Sequence, residues 1–135
     1  MSSLVTFDAI DKEWLPLSRG QFESVLGGAY ELYLDHSKAP GIAKDLWPQV
    51  LDFLHDGWPS KYELPNGKAL DFFEFSDHPR EERLELLRAM EAYYADFQRD
   101  QLGPELNWMR GRRPNFIAAF EQVIALMREE LAATS

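Results

Sequence analysis

Residues 79–101 read PREERLELLRAMEAYYADFQRDQ, and this stretch decides the fold. Leu84, Leu87, Tyr94 and Phe97 recur at helical spacing, with Leu86, Met90 and Tyr93 widening the apolar stripe. Pro79 suits a first helical turn, Ser76 or Asp77 can cap it, and Glu81 and Glu82 favour its positive end. Gly103-Pro104 closes the segment. The spacing predicts a long amphipathic helix over 79–101.

A second such pattern follows Pro114. Phe116, Ile117, Phe120, Val123, Ile124, Met127 and Leu131 share one side, and Glu121, Gln122, Arg128 and Glu129 the other, predicting a helix over 114–132. Upstream, Ser18-Arg19-Gly20-Gln21 has the form of a capping box. It opens a predicted helix to about His36 with Phe22, Val25, Leu26, Ala29, Tyr30 and Tyr33 inward. Gly27-Gly28 in its middle costs roughly 1 kcal/mol per glycine against alanine, so either two elements pack closely there or the helix breaks. Asp45 caps a further predicted helix over 45–56, with Pro48 in its first turn and Gly57 after its end.

The remaining segments are shorter. Phe7, Ile10 and Trp14 fit a short helix within 4–17 closed by Pro16, although Leu4–Phe7 also suits an extended strand. In 61–75, Pro65-Asn66-Gly67 lies between apolar stretches and predicts a small hairpin or aromatic loop. No repeat or linker divides the 135 residues. The expected fold is mainly α: a single domain, 1–135, forming an irregular bundle of about four main helices with a possible small β-hairpin near 61–75.

Composition narrows the function. Asp and Glu number 23 against 14 Lys and Arg, a formal charge of −9, which disfavours nucleic acid and anionic membranes as partners. There is no cysteine, hence no disulfide framework and no thiolate zinc site. The first residues lack a basic segment followed by an apolar core, and no run is long enough to span a bilayer, so a cytoplasmic protein is expected.

Catalytic signatures are sparse. Asp35-His36, His55-Asp56 and Asp77-His78 could converge on a metal, and a small metal-dependent hydrolase using His36, His55, Asp56 and His78 is one alternative. The simpler account places these residues at helix ends, where they cap or complement the dipole. Carboxylates recur at i, i+4 in Glu81/Glu85, Asp52/Asp56 and Asp96/Asp100, a spacing equally expected of a solvated face. No nucleophile elbow or phosphate loop is present. No catalytic, metal or cofactor site is assigned, and the chain reads as a non-enzyme. The one basic cluster, Arg110, Arg112 and Arg113 beside Trp108, is expected to pair with the acidic excess.

Between residues 45 and 78 the acids number seven and the bases two, with Trp58, Tyr62, Phe72 and Phe73 interleaved. Aromatic anchors ringed by carboxylates suit a surface that occludes a basic protein. The expected contact set is Asp45, Asp52, Asp56, Trp58, Tyr62, Glu63, Asp71, Glu74 and Asp77. The expected function is a non-enzymatic acidic binding protein, most concretely an immunity or antitoxin protein that neutralises a toxin enzyme. A helical adaptor or regulatory domain, self-associating through 79–101, is the other alternative.

Overall fold

The computed structural model describes residues 2–7, 9, 12–18, 21, 23–42, 44, 46, 72–102, 111 and 113–134. The described part is mostly helical, as the periodicity predicts. Strands β1 (Ser2–Phe7), β2 (Lys12–Ser18) and β3 (Phe72–Glu74) form one small sheet in the order β2-β1-β3. Two π-helical segments, Glu23–Gly27 and Ala29–Tyr33, follow β2. A 3-10 turn, Phe75–Asp77, leads from β3 into helix α1 (Arg80–Gln98), and α2 (Arg113–Ala133) completes the described chain.

The helix expected within 4–17 is instead an antiparallel hairpin. Ser2 faces Ser18 and Val5 faces Leu15, with a bulge between Val5 and Phe7. The β-branched and aromatic run Val5-Thr6-Phe7 is fully enclosed, and such residues pack well on a pleated surface. Pro16 is accommodated because β2 lies at the sheet edge. β1 pairs in parallel with β3, Val5 opposite Phe73 and Thr6 opposite Glu74. Strand structure at 72–74 falls within the expected hairpin region; residues 61–71 lie outside the described residues, as does most of the predicted 45–56 helix.

In α1 the buried stripe runs Leu86, Ala89, Met90, Tyr93 and Phe97, while Leu84 is 45% exposed. Of the expected Leu84–Leu87–Tyr94–Phe97 stripe, Phe97 is buried, Leu87 and Tyr94 are half-buried at the flank and Leu84 is exposed. The 86/90/93/97 spacing puts three aromatic or long side chains on one line, and that line meets α2. Phe97 packs against Phe116 and Phe120, and Tyr93 meets Phe120 edge-on at 4.9 Å.

Ser76 and Asp77 do not cap α1. The chain enters it through Pro79, and the Glu74 carboxylate instead accepts the Ser76 amide, closing the 3-10 turn. At the other end the helix stops before Gly103. Asp100 takes a left-handed conformation (φ 56°), the Asp100 amide donates to the Phe97 carbonyl, and the Gln101 amide donates to the Asp96 carbonyl. This is a Schellman closure with aspartate in the place glycine usually takes.

The region around Gly27-Gly28 shows why Gly28 is a glycine. The segment winds as π turns, not as the expected α-helix, and ends at Tyr33. A methyl group at Gly28 would collide with the Tyr93 ring and hydroxyl. Tyr93 itself is fully enclosed, stacks on Tyr33 at 5.2 Å and donates to the Ser24 carbonyl at 2.8 Å. Gly28→Ala is expected to destabilise by about 1–3 kcal/mol, the usual cost of overpacking. Combining it with Tyr93→Leu makes room, so the two costs should add to less than their sum in urea melts; simple additivity would show that the two positions do not press on one another.

The N-terminal half of α1 and the C-terminal half of α2 are joined by charge. Arg83 donates to Glu130 Oε1 at 2.5 Å, to the Thr134 hydroxyl at 2.8 Å and to the His78 carbonyl at 2.8 Å. Glu130 is completely buried and Arg83 nearly so. Arg83→Met, which strands the carboxylate, is expected to cost about 3–5 kcal/mol, whereas Arg83→Met with Glu130→Leu should recover most of that loss. Equal destabilisation by the single and double variants would show that the pair does not act as a unit.

Candidate functional site

The described residues carry two polar assemblies outside the core. The first lies where the π-helical segment meets α1. Arg88 pairs with Glu85 and donates to the Tyr33 carbonyl at 2.6 Å, while Glu85 also accepts the Asp35 amide at 3.2 Å. Further along α1, the Tyr33 hydroxyl donates to Asp96 Oδ2 at 2.6 Å, and Arg99 donates to Asp96 Oδ1 at 3.0 Å. Asp35 accepts both the amide and the hydroxyl of Ser37.

These contacts set the charge states. The Arg88 guanidinium, with help from the Asp35 amide, holds the Glu85 carboxyl below its ordinary value against the opposing effect of burial. The Tyr33 hydroxyl and then Arg99 do the same for Asp96, and the Ser37 hydroxyl and amide for Asp35. Burial pushes the Tyr33 phenol up, and the Asp96 carboxylate adds to that; burial also raises Tyr93.

The second assembly is a groove of about 400 Å³ between α1 and α2. Its walls carry Glu91 and Tyr94 from α1, and Glu121 and Arg128 from α2. Arg128 pairs with Glu91 across the helices, and the Tyr94 hydroxyl donates to Glu121 Oε2 at 3.0 Å. The Tyr94 ring stacks on Phe120 at 5.1 Å, which holds it upright at the groove wall. Ala95 and Ala125 line the same space, and their short side chains leave it open.

Of the expected contact residues, Glu74 and Asp77 are described. Glu74 is buried: one carboxylate oxygen accepts from the Thr6 hydroxyl at 2.7 Å and the other from the Ser76 amide at 3.0 Å. Those bonds direct it into the protein, joining β1 to the 3-10 turn. Asp77 is exposed. Asp45, Asp52, Asp56, Trp58, Tyr62, Glu63 and Asp71 lie outside the described residues.

The histidines occupy different settings. His36 is exposed, donates to the Tyr30 carbonyl at 2.9 Å and stacks on the Tyr30 ring. His78 is buried, stacks on Phe73 and lies 3.4 Å from Glu82 Oε1. His55 and Asp56 lie outside the described residues. Among the described residues, no group of three or more His, Asp or Glu is placed to hold a metal ion. Of the i, i+4 carboxylate pairs, Asp52/Asp56 lies outside the described residues, and the other two are divided by their surroundings: Glu81 is exposed while Glu85 is buried against Arg88, and Asp100 faces Arg113, not Asp96's partners.

Arg113 behaves as the sequence predicts. It lies 3.6 Å from Asp100, donates to the carbonyls of Phe97 and Gln98, and places its guanidinium 5.3 Å from the Phe97 ring centre. It thereby closes the negative end of α1. Arg110 and Arg112 lie outside the described residues.

Sequence reasoning missed the groove and the inward charges. Arg83 precedes Leu86 by three residues and Met90 by seven, and Glu130 follows Met127 by three and Val123 by seven. Both charges sit in the phase of their apolar stripes, and that was the available signal. Compared with protein-family models, with curated proteins and with solved structures, the chain has no significant match. No helix among the described residues is long and apolar enough to cross a membrane.

The lowered carboxylates and raised phenols predict that stability falls at both ends of the pH scale. Unfolded Asp and Glu bind protons near pH 4, whereas the folded groups resist them, so the stability they contribute is present above that value and lost as pH falls through the folded values. Unfolded tyrosine ionises near pH 10 while folded Tyr33 and Tyr93 stay neutral, so stability is lost again as pH climbs above 10. Glu85→Gln and Asp96→Asn should flatten the acid limb of urea midpoints measured from pH 3 to 11, and Tyr93→Phe the alkaline limb. Limbs unchanged by these substitutions would refute the assignment.

Proposed function

We propose that this chain is an acidic binding protein that occludes a basic protein partner, most concretely an immunity or antitoxin protein acting in the cytoplasm on a cognate toxin enzyme. The observation that carries this reading is how the described arginines are used. Arg83, Arg88, Arg99, Arg113 and Arg128 each pair with a carboxylate of the same chain. Arg80 donates to the Leu131 carbonyl. These arginines are spent on contacts within the chain, while Asp77, Glu81 and Glu129 face outward and make no ion pair among the described residues.

The chain's net charge of −9 accelerates encounter with a cationic surface. Charge supplies rate and orientation, and buried aromatics supply most of the holding energy in such interfaces. Trp58 and Tyr62 are the proposed anchors, and Asp45, Asp52, Asp56, Glu63, Asp71 and Asp77 the proposed charges of the contact set. Glu74 contributes through the fold, by tying β1 to the turn that presents Asp77.

The test is capture of partners on the immobilised chain at low and high salt, followed by affinity measurement with the identified protein. A stoichiometric basic partner, inhibited on binding and weakened by salt, is the expected result. Changing the six proposed acids to their amides should lower affinity by about tenfold or more while leaving the helical melting curve cooperative. Unchanged affinity in that folded variant would remove the assignment.

A further inference from the structure

We propose that the groove between α1 and α2 receives an arginine side chain of the basic partner, which pairs with Glu121 and lies against the ring of Tyr94; this rests on the binding function above and names a second point of contact. The space exists because Ala95 and Ala125 stand where longer side chains would fill it, leaving about 400 Å³, at the small end for ligand sites. That suits one side chain and not a folded element.

Charge selects the occupant. The groove carries two carboxylates, Glu91 and Glu121, against the single guanidinium of Arg128. Arg128 already holds Glu91 through both Nε, at 3.2 Å, and a terminal nitrogen. Glu121 keeps only the neutral Tyr94 hydroxyl, on one of its two oxygens, among the described residues. A carboxylate so placed repels an anion and gains nothing from an apolar group. A guanidinium offers the planar fork that matches it and a flat face for the adjacent tyrosine. The ring is held for that contact by its stacking on Phe120. A lysine ammonium meets the charge but not the stacking geometry.

The probe is acetyl-Gly-Arg-Gly-amide, titrated into the full isotope-labelled chain, beside the same peptide with lysine or with citrulline, the uncharged shape analogue of arginine. The arginine peptide is expected to shift the methyl signals of Ala95 and Ala125 and the ring signals of Tyr94, the lysine peptide to do so more weakly, and the citrulline peptide not at all. Glu121→Gln should weaken the arginine response about tenfold, the loss of a hydrogen bond to a charged group. Glu129→Gln, exposed on the same helix and outside the groove, should leave it unchanged. Equal response to citrulline, or no movement at the groove at millimolar peptide, overturns the proposal. The two readings separate cleanly. If Glu121→Gln leaves the protein partner's affinity intact while the acid-to-amide variant abolishes it, the groove assignment falls and the binding function stands. If the groove takes the arginine peptide but no basic protein is captured, the groove assignment stands and the occlusion reading falls.

Discussion

A phenol buried in a protein interior must end on an acceptor, and in this chain the Tyr93 hydroxyl ends on the carbonyl of Ser24. The rest of the arrangement follows from that bond. For the oxygen to reach Ser24, the ring has to lie flat against the backbone at Gly28, where no side chain larger than hydrogen fits. The helical segment there winds more loosely than an α-helix, which presents its backbone to the ring. With Tyr93 so placed, one face stacks on Tyr33 and an edge meets Phe120, so one residue of α1 joins the π-helical segment and α2.

Around that apolar centre the chain places charge with economy of position. Arg83 and Glu130 close one end of the α1–α2 pair, Arg113 the other, and Arg128 with Glu91 the middle of the outer side. The buried pair at the first end is a specificity device more than a source of energy, because desolvating two charges offsets most of their attraction. It penalises any register in which Arg83 and Glu130 fail to meet, as sliding α2 by one turn would require. The exposed pairs contribute little stability individually. They also occupy the arginines, so that Asp77, Glu81 and Glu129 face water with no ion pair among the described residues.

The two long helices were legible because each repeats bulky apolar residues over about four turns, a signal that survives local irregularity. What was not legible was phase and exception. In α1 the apolar residues at helical spacing cover more than one buried face, and packing against Phe116 and Phe120 enclosed Phe97, Tyr93 and Met90 while leaving Leu84 exposed. The first hairpin was obscured because Phe7, Ile10 and Trp14 are spaced for a helix while Val5-Thr6-Phe7 is shaped for a strand, and only pairing with distant Phe72–Glu74 decides between them. Glu74 looked like a surface acid because its two internal donors, Thr6 and the Ser76 amide, are brought to it by that same pairing. The acidic character of the candidate surface was readable from composition; the groove was not, since it arises from two alanines on different helices.

The parallel pairing of β1 with β3 also orders events during synthesis. β1 is made before β2 and can join it as soon as it follows, because the two are consecutive and antiparallel. Its other edge waits for a strand whose closing contact, Thr6 with Glu74, spans 68 residues. Closing so long a loop costs entropy before it returns any contact. Until that stretch has been translated, the backbone amides and carbonyls along one side of β1 stay available to neighbouring nascent chains, so the step most exposed to misassembly is completion of the sheet and not formation of the helices.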